Sequence, residues 1–232
     1  MLDLETKRRA DMPGYFNYFS FGLSGYIDGL LLRVREAVFR LFMESFAPGP
    51  SDSVLDIGVS ADDHISSNHF EKRYPYTARI CALGIDHLPG LPRQFPGLRL
   101  VQADARVLPF RDASFDFVYS HAVIEHLGNR GQQAGFVREA LRVARKGVLL
   151  TTPNRWHPVE THTGLPVLHY LPGTVYRAFY RAVGKGMYAR EDKLNLLSAR
   201  KLLSIAPAGA RRLHRVRWLG MASNLVLVLR KA

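Results

Sequence analysis

The chain has one cysteine, Cys81, among 232 residues. A single thiol excludes an internal disulfide framework and suits a reducing, cytoplasmic setting. The basic residues of "MLDLETKRRADMPG" are followed by no apolar stretch, so no secretory signal is expected. No apolar run approaches the roughly 20 residues that a membrane-spanning helix needs. Repeats and low-complexity segments are also missing. Acidic residues are scarce in one region. Between residues 173 and 232 there are 13 Lys/Arg but only Glu191 and Asp192, against 19 basic and 18 acidic residues elsewhere. The net charge of +12 is therefore almost wholly a property of the C-terminal quarter. Such a one-sided surface suits an anionic small substrate, an anionic lipid surface or nucleic acid, or serves simply as a solvated face.

What is present is an ordinary globular composition, 47% apolar and 22% charged, in a length that suits one domain with a sizeable core. Residues 1–50 read as a helical extension. It comprises an aromatic-rich stretch, "YFNYFSFGLSGY", then "IDGLLLRVREAVFRLFMESF" with Leu31, Val34, Val38, Leu41 and Phe42 at helical spacing. The breaker "APGPSDS" leads into residues 51–232, where strands and helices alternate. Strands are expected at 53–58, 78–86, 98–104, 115–122 and 146–154, and helices at 65–75 and 131–145. Alternation of this kind predicts a doubly wound, mostly parallel α/β sheet. Two strand-like runs near the end, "RRLHRVRWLG" and "SNLVLVLRKA", predict an antiparallel terminal hairpin and a total of seven strands.

Ligands of such sheets bind beyond the carboxyl ends of the strands. The expected ends carry Asp56 and Gly58, Asp86 and His87, Asp104 and Ala105, Ser120 and His121, and Thr151, Thr152 and Asn154. One acidic residue at a strand end is more often a helix cap than a ligand. Acidic residues on three neighbouring strands favour a nucleoside site, with Asp86 accepting from ribose hydroxyls and Asp104 from an adenine amino group beside the Ala105 amide.

The series "VLDIG", "GID", "QADARVLPFRDASFDFVYSHAVIEHL" and "TTPN" resembles the class I S-adenosylmethionine-dependent methyltransferases, most of all their small-molecule branch. The resemblance covers residues 50–155 by motif. It implies a Rossmann-like methyltransferase fold, S-adenosyl-L-methionine as cofactor and methyl transfer as activity. It places Asp56, Gly58 and Ser60 in the first cofactor turn, Asp86 and His87 at the ribose, Asp104 and Ala105 at the adenine, and Ser120 and His121 beside the methionine. Glu125 and His126 match the "EH" that follows the fourth strand. The family pattern has three glycines in the first turn; here Ser60 and Asp62 occupy the later two places. A nicotinamide enzyme fits less well, since the G-x-G-x-x-G turn for a pyrophosphate is missing.

A proline-rich segment, "TTPNRWHPVETHTGLPVLHYLP", follows the fifth strand and reads as a substrate lid within residues 153–195. His126, His157 and His162 are candidate bases or acceptor-positioning groups, with Glu160 to orient a histidine. No metal is expected. The reading that results is a cytoplasmic methyltransferase for a small-molecule or lipid-linked acceptor, most simply at oxygen, with contact to an anionic membrane surface among its expected partners. Two alternatives stay open. One is an RNA methyltransferase using the basic C-terminal region. The other is a catalytically inactive binding protein with a degenerate glycine loop.

Overall fold

The structure is a computed structural model that describes residues 24–61, 65–159, 167–184, 186–209, 211–218 and 220–231. In chain order its helices are α1 (Ser24–Phe46), α2 (His69–Arg73), α3 (Leu91–Gln94), α4 (Arg130–Val143), α5 (Gly173–Ala182) and α6 (Ala199–Ile205). Its strands are β1 (Val54–Ile57), β2 (Ile80–Gly84), β3 (Arg99–Gln102), β4 (Phe115–His121), β5 (Ala144–Pro153), β6 (Arg211–Trp218) and β7 (Met221–Arg230).

All four residues of β1 and all five of β2 are buried. Short apolar runs without alternation are what a parallel sheet covered on both faces requires. The seven strands lie in the order β3-β2-β1-β4-β5-β7-β6. Strands β1 to β5 pair in parallel, and β7 runs antiparallel to both β5 and β6. The expected architecture is present, and its strand order reverses between β1 and β4.

Successive residues point to opposite faces, which splits the core in two. Leu55, Ile57, Val118, Leu150 and Leu227 join Phe136 and Val137 of α4 and Leu202 of α6. Val54, Phe117, Tyr119, Leu149 and Val226 join Val38, Phe39 and Phe42 of α1 and Phe70 of α2. Helix α1 is thus one layer of the domain itself. Residues 1–23 of the expected extension lie outside the described residues.

Two boundaries moved for local reasons. The helix expected at 65–75 spans only His69–Arg73, because Asn68 adopts a left-handed conformation (φ 48°) and breaks the preceding turn. Helix α4 starts with a capping box, the Asn129 side chain accepting from the Gln132 amide and the Gln132 side chain from the Asn129 amide. It passes straight into β5 at Ala144, so the helix is shorter and the strand longer than expected.

Candidate active site

The reversal between β1 and β4 opens a crevice at their carboxyl ends. The β1 turn is drawn toward β2, the Gly58 amide donating to the Leu83 carbonyl at 2.9 Å. Gly58 has φ +113°, and a Cβ there would stand 2.3 Å from Cγ2 of Val123, just past β4. Only glycine fits this position. Ser60 needs no glycine geometry, because Asn68 holds the turn: its Oδ1 accepts from the Ser60 amide at 3.2 Å and its Nδ2 donates to the Ser60 carbonyl at 2.9 Å. A side-chain amide thus replaces the backbone latitude that further glycines would give. Asp62 lies outside the described residues.

Asp86 and His87 are exposed beyond β2. Asp104 is half-buried beyond β3, and its carboxylate accepts from the Arg106 amide at 2.9 Å and from Arg106 Nε at 3.0 Å. That pairing holds the Asp104 carboxyl below the usual carboxylate range. Ala105 is buried. Ile85 and Val107 flank the two carboxylates and are 67% and 74% exposed. Large apolar side chains left open beside convergent polar groups are the composition of a ligand cleft. Sequence reading missed both, since an apolar residue at a strand end looks like core.

The Ser120 Oγ is buried and donates to the Ile57 carbonyl at 3.0 Å, so the hydroxyl ties β4 to β1. His121 points to the α1 side with Asp56 and Tyr119. Its Nδ1 is enclosed without a partner, and burial, followed by the Arg35 charge, holds its pKa well below the usual imidazole value. It is a neutral ring.

Asp56 is buried and lies in the field of Arg35, Glu71 and Tyr119. Desolvation first, and then repulsion from Glu71, raise its pKa well above the usual value, against the opposing pull of Arg35. Glu71 is itself buried beside Asp56, and the enclosed Nε of Arg35 lacks a hydrogen-bond partner. This chamber draws on α1, β1, α2 and β4, so no local pattern announces it. It carries a pH prediction. A carboxyl raised in the folded state contributes stability that is complete below about pH 4, its unfolded value, and is lost as pH climbs through the folded value. Asp56→Asn should therefore unfold at a higher temperature than the wild type at pH 8 and show a smaller decline from pH 4 to 8. Parallel slopes in thermal unfolding would contradict the chamber.

After β4 the "EH" pair divides its work. Glu125 is fully buried and accepts from the Thr152 hydroxyl at 3.0 Å. His126 is exposed, with Nδ1 2.7 Å from the Lys193 carbonyl. A carbonyl only accepts, so Nδ1 carries a proton in this contact. His157 is elsewhere. It is buried, stacked on Trp218 of β6 at 5.2 Å, and its Nδ1 lies 3.0 Å from the Val159 carbonyl. The structure thus packs His157 against the terminal hairpin. Glu160 and His162 lie outside the described residues. Among the described residues no cluster of metal-ligating side chains occurs.

Comparison with known proteins bears on this crevice. Residues 83–152 match the family model described as "Methyltransferase domain". A crystal structure of an S-adenosylmethionine-dependent methyltransferase from Mesorhizobium loti superposes with TM-score 0.57 over 84% of this chain and 98% of that one, at 11% identity. The chain is a class I methyltransferase-fold protein. This methyltransferase-fold chain is also 47% identical over 64 residues to a Mycobacterium tuberculosis protein named a probable S-adenosylmethionine-dependent methyltransferase, covering 27% of the chain and 22% of that protein. It is 28% identical over 161 residues to the ajmaline N-methyltransferase of Rauvolfia serpentina, covering 62% of the chain and 51% of that enzyme. The chain thus spans between about a fifth and a half of the length of these relatives.

Proposed function

We propose that this methyltransferase-fold chain transfers a methyl group from S-adenosyl-L-methionine to a small-molecule or lipid-linked acceptor, in the cytoplasm. The observation that supports it most is that the Gly58 turn, then Ile85 and Asp86, then Asp104 and Val107 follow the neighbouring strands β1, β2 and β3 at one end of the sheet. These groups suit a nucleoside: carboxylates accept from ribose hydroxyls and an exocyclic amine, and open apolar side chains meet a flat base. The buried free thiol of Cys81 fits a reducing compartment.

The cofactor supplies a methyl on a sulfonium that leaves as a neutral thioether. The protein's share is placement of the acceptor in line with the breaking bond. A hydroxyl acceptor loses its proton as its oxygen bonds to the methyl carbon, and His126 is the candidate receiver of that proton. Glu160 and His162 of the lid remain sequence-derived candidates for the same task. A base suits oxygen, because a neutral amine attacks without prior deprotonation. Nitrogen is the second reading, favoured by the similarity to the ajmaline N-methyltransferase.

Titration calorimetry with S-adenosylhomocysteine tests the reading. The wild type should bind, and Asp86→Ala should weaken binding by about 1–3 kcal/mol, roughly 5- to 150-fold. No heat with the wild type would leave the fold as a binding scaffold of another kind.

A further inference from the structure

Helix α5 has an apolar arc wider than the surface it packs on. Tyr176 and Tyr180 are buried against Ala189, Leu168 and Tyr188. Val175 and Phe179, one turn apart, remain 49% and 44% exposed, and Leu171, Val183 and Met187 extend the same open series before and after the helix. At 3.6 residues per turn, Val175, Ala178, Phe179 and Ala182 share an arc of about 100°, with Arg177 and Arg181 on the remaining side. Single exposed apolar residues need no explanation, but a ridge of five does. Exposed Trp156 (55%) adds an amphipathic ring close by: Arg155 lies over both Trp156 and Tyr176, and its Nη2 donates to the Leu171 carbonyl at 3.1 Å.

Arg177 and Arg190 beside this ridge are each paired with a carboxylate, which leaves Arg181 as the cationic surplus on the helix. Glu191 and Asp192 are the only acidic residues after position 172, and each faces an arginine, Arg177 at 3.8 Å and Arg190 at 2.7 Å. Arg181 is exposed on the helix itself. An apolar ridge gives a polyanionic nucleic-acid backbone nothing to hold, whereas the same ridge beside an exposed arginine matches both layers of an anionic bilayer surface. No described helix is long and apolar enough to cross a membrane. We propose that the α5 ridge, bordered by arginine, docks this chain flat on an anionic lipid surface. The proposal stands on this geometry alone. Only its corollary, that a lipid-linked acceptor reaches the crevice from the bilayer, rests on the methyl-transfer reading.

Co-sedimentation with vesicles tests it. The full chain should partition onto phosphatidylcholine vesicles containing phosphatidylglycerol, far less onto phosphatidylcholine alone, and less as salt rises. Val175→Ser with Phe179→Ser should lower partitioning by about tenfold or more. Arg181→Glu, a single exposed change, should lower it as well. The serine pair should keep S-adenosylhomocysteine affinity, so a failure of docking and a failure of the cofactor reading give separate signals. Equal partitioning by wild type and serine variant would overturn the proposal, as would no partitioning of the wild type. Dimerisation of the wild type that the serine pair abolishes, seen by sedimentation velocity, would assign the ridge to a second copy and overturn it too.

Discussion

Phe42→Ala should lower the thermal midpoint by about 10 °C or more. Phe42 is fully buried in α1. Its ring meets five others edge-on: Phe70 at 5.2 Å, Phe46 at 5.4 Å, Tyr119 at 5.7 Å, Phe117 at 6.0 Å and Tyr74 at 6.4 Å. These partners come from α1, β4, and α2 with the residue after it, so the ring joins the helical layer to the sheet. Removing it forfeits the transfer energy of the ring and leaves a cavity that neighbours stacked on each other, such as Phe70 on Tyr119 at 4.3 Å, close only in part. The cost is about 3–5 kcal/mol, and for a domain of this size each kcal/mol shifts the midpoint by roughly 2–4 °C. Phe179→Ala on the open ridge is the control and should change stability by no more than about 0.5 kcal/mol. Circular dichroism melts of both variants measure the contrast. A shift for Phe42→Ala no larger than the control's would show that α1 is not a packed layer.

The helix that carries Phe42 was legible because its apolar residues repeat at helical spacing from Leu31 to Phe42. The parallel strands were legible as short apolar runs between breakers, and the terminal hairpin as two such runs around Gly220. Legibility ended where a role depends on residues that meet only in the folded chain. Arg35, Asp56 and Glu71 are each unremarkable in their own segments, and only the packing of α1 and α2 on β1 joins them in one buried chamber. Ser120 sits at a strand end, as a ligand would, yet one register position sends its hydroxyl to Ile57. His157 neighbours Trp156 in sequence and reads as lid, but its ring stacks on Trp218 from the far edge of the sheet. A strand end predicts where a residue stands; which way it faces depends on neighbours supplied by other strands.

The turn after β1 shows the same limit and offers the sharpest test. A motif with one glycine in place of three reads as decayed, but the structure gives Gly58 and Ser60 separate reasons. Gly58 is irreplaceable on two independent grounds, its φ of +113° and the approach of Val123, whereas Ser60 is held by Asn68. Gly58→Ala should therefore cost about 2–6 kcal/mol, combining backbone strain of roughly 1–3 kcal/mol with overpacking of similar size. Val123 is β-branched and stiff at χ1, so its methyl cannot swing aside cheaply. Gly184, also at positive φ (+74°) but with nothing within 4 Å of a Cβ, separates the two terms: Gly184→Ala should show the strain alone, about 1 kcal/mol. Adding Val123→Ala to Gly58→Ala removes the overlap and should restore roughly half of the lost stability, a coupling that denaturant unfolding of the four-member cycle would measure. If the double variant is no better than Gly58→Ala, the strain at Gly58 dominates and Val123 does not close over the turn. If Gly58→Ala itself is neutral, the turn is not held as described and the crevice loses the wall that brings Val123 and His126 toward it.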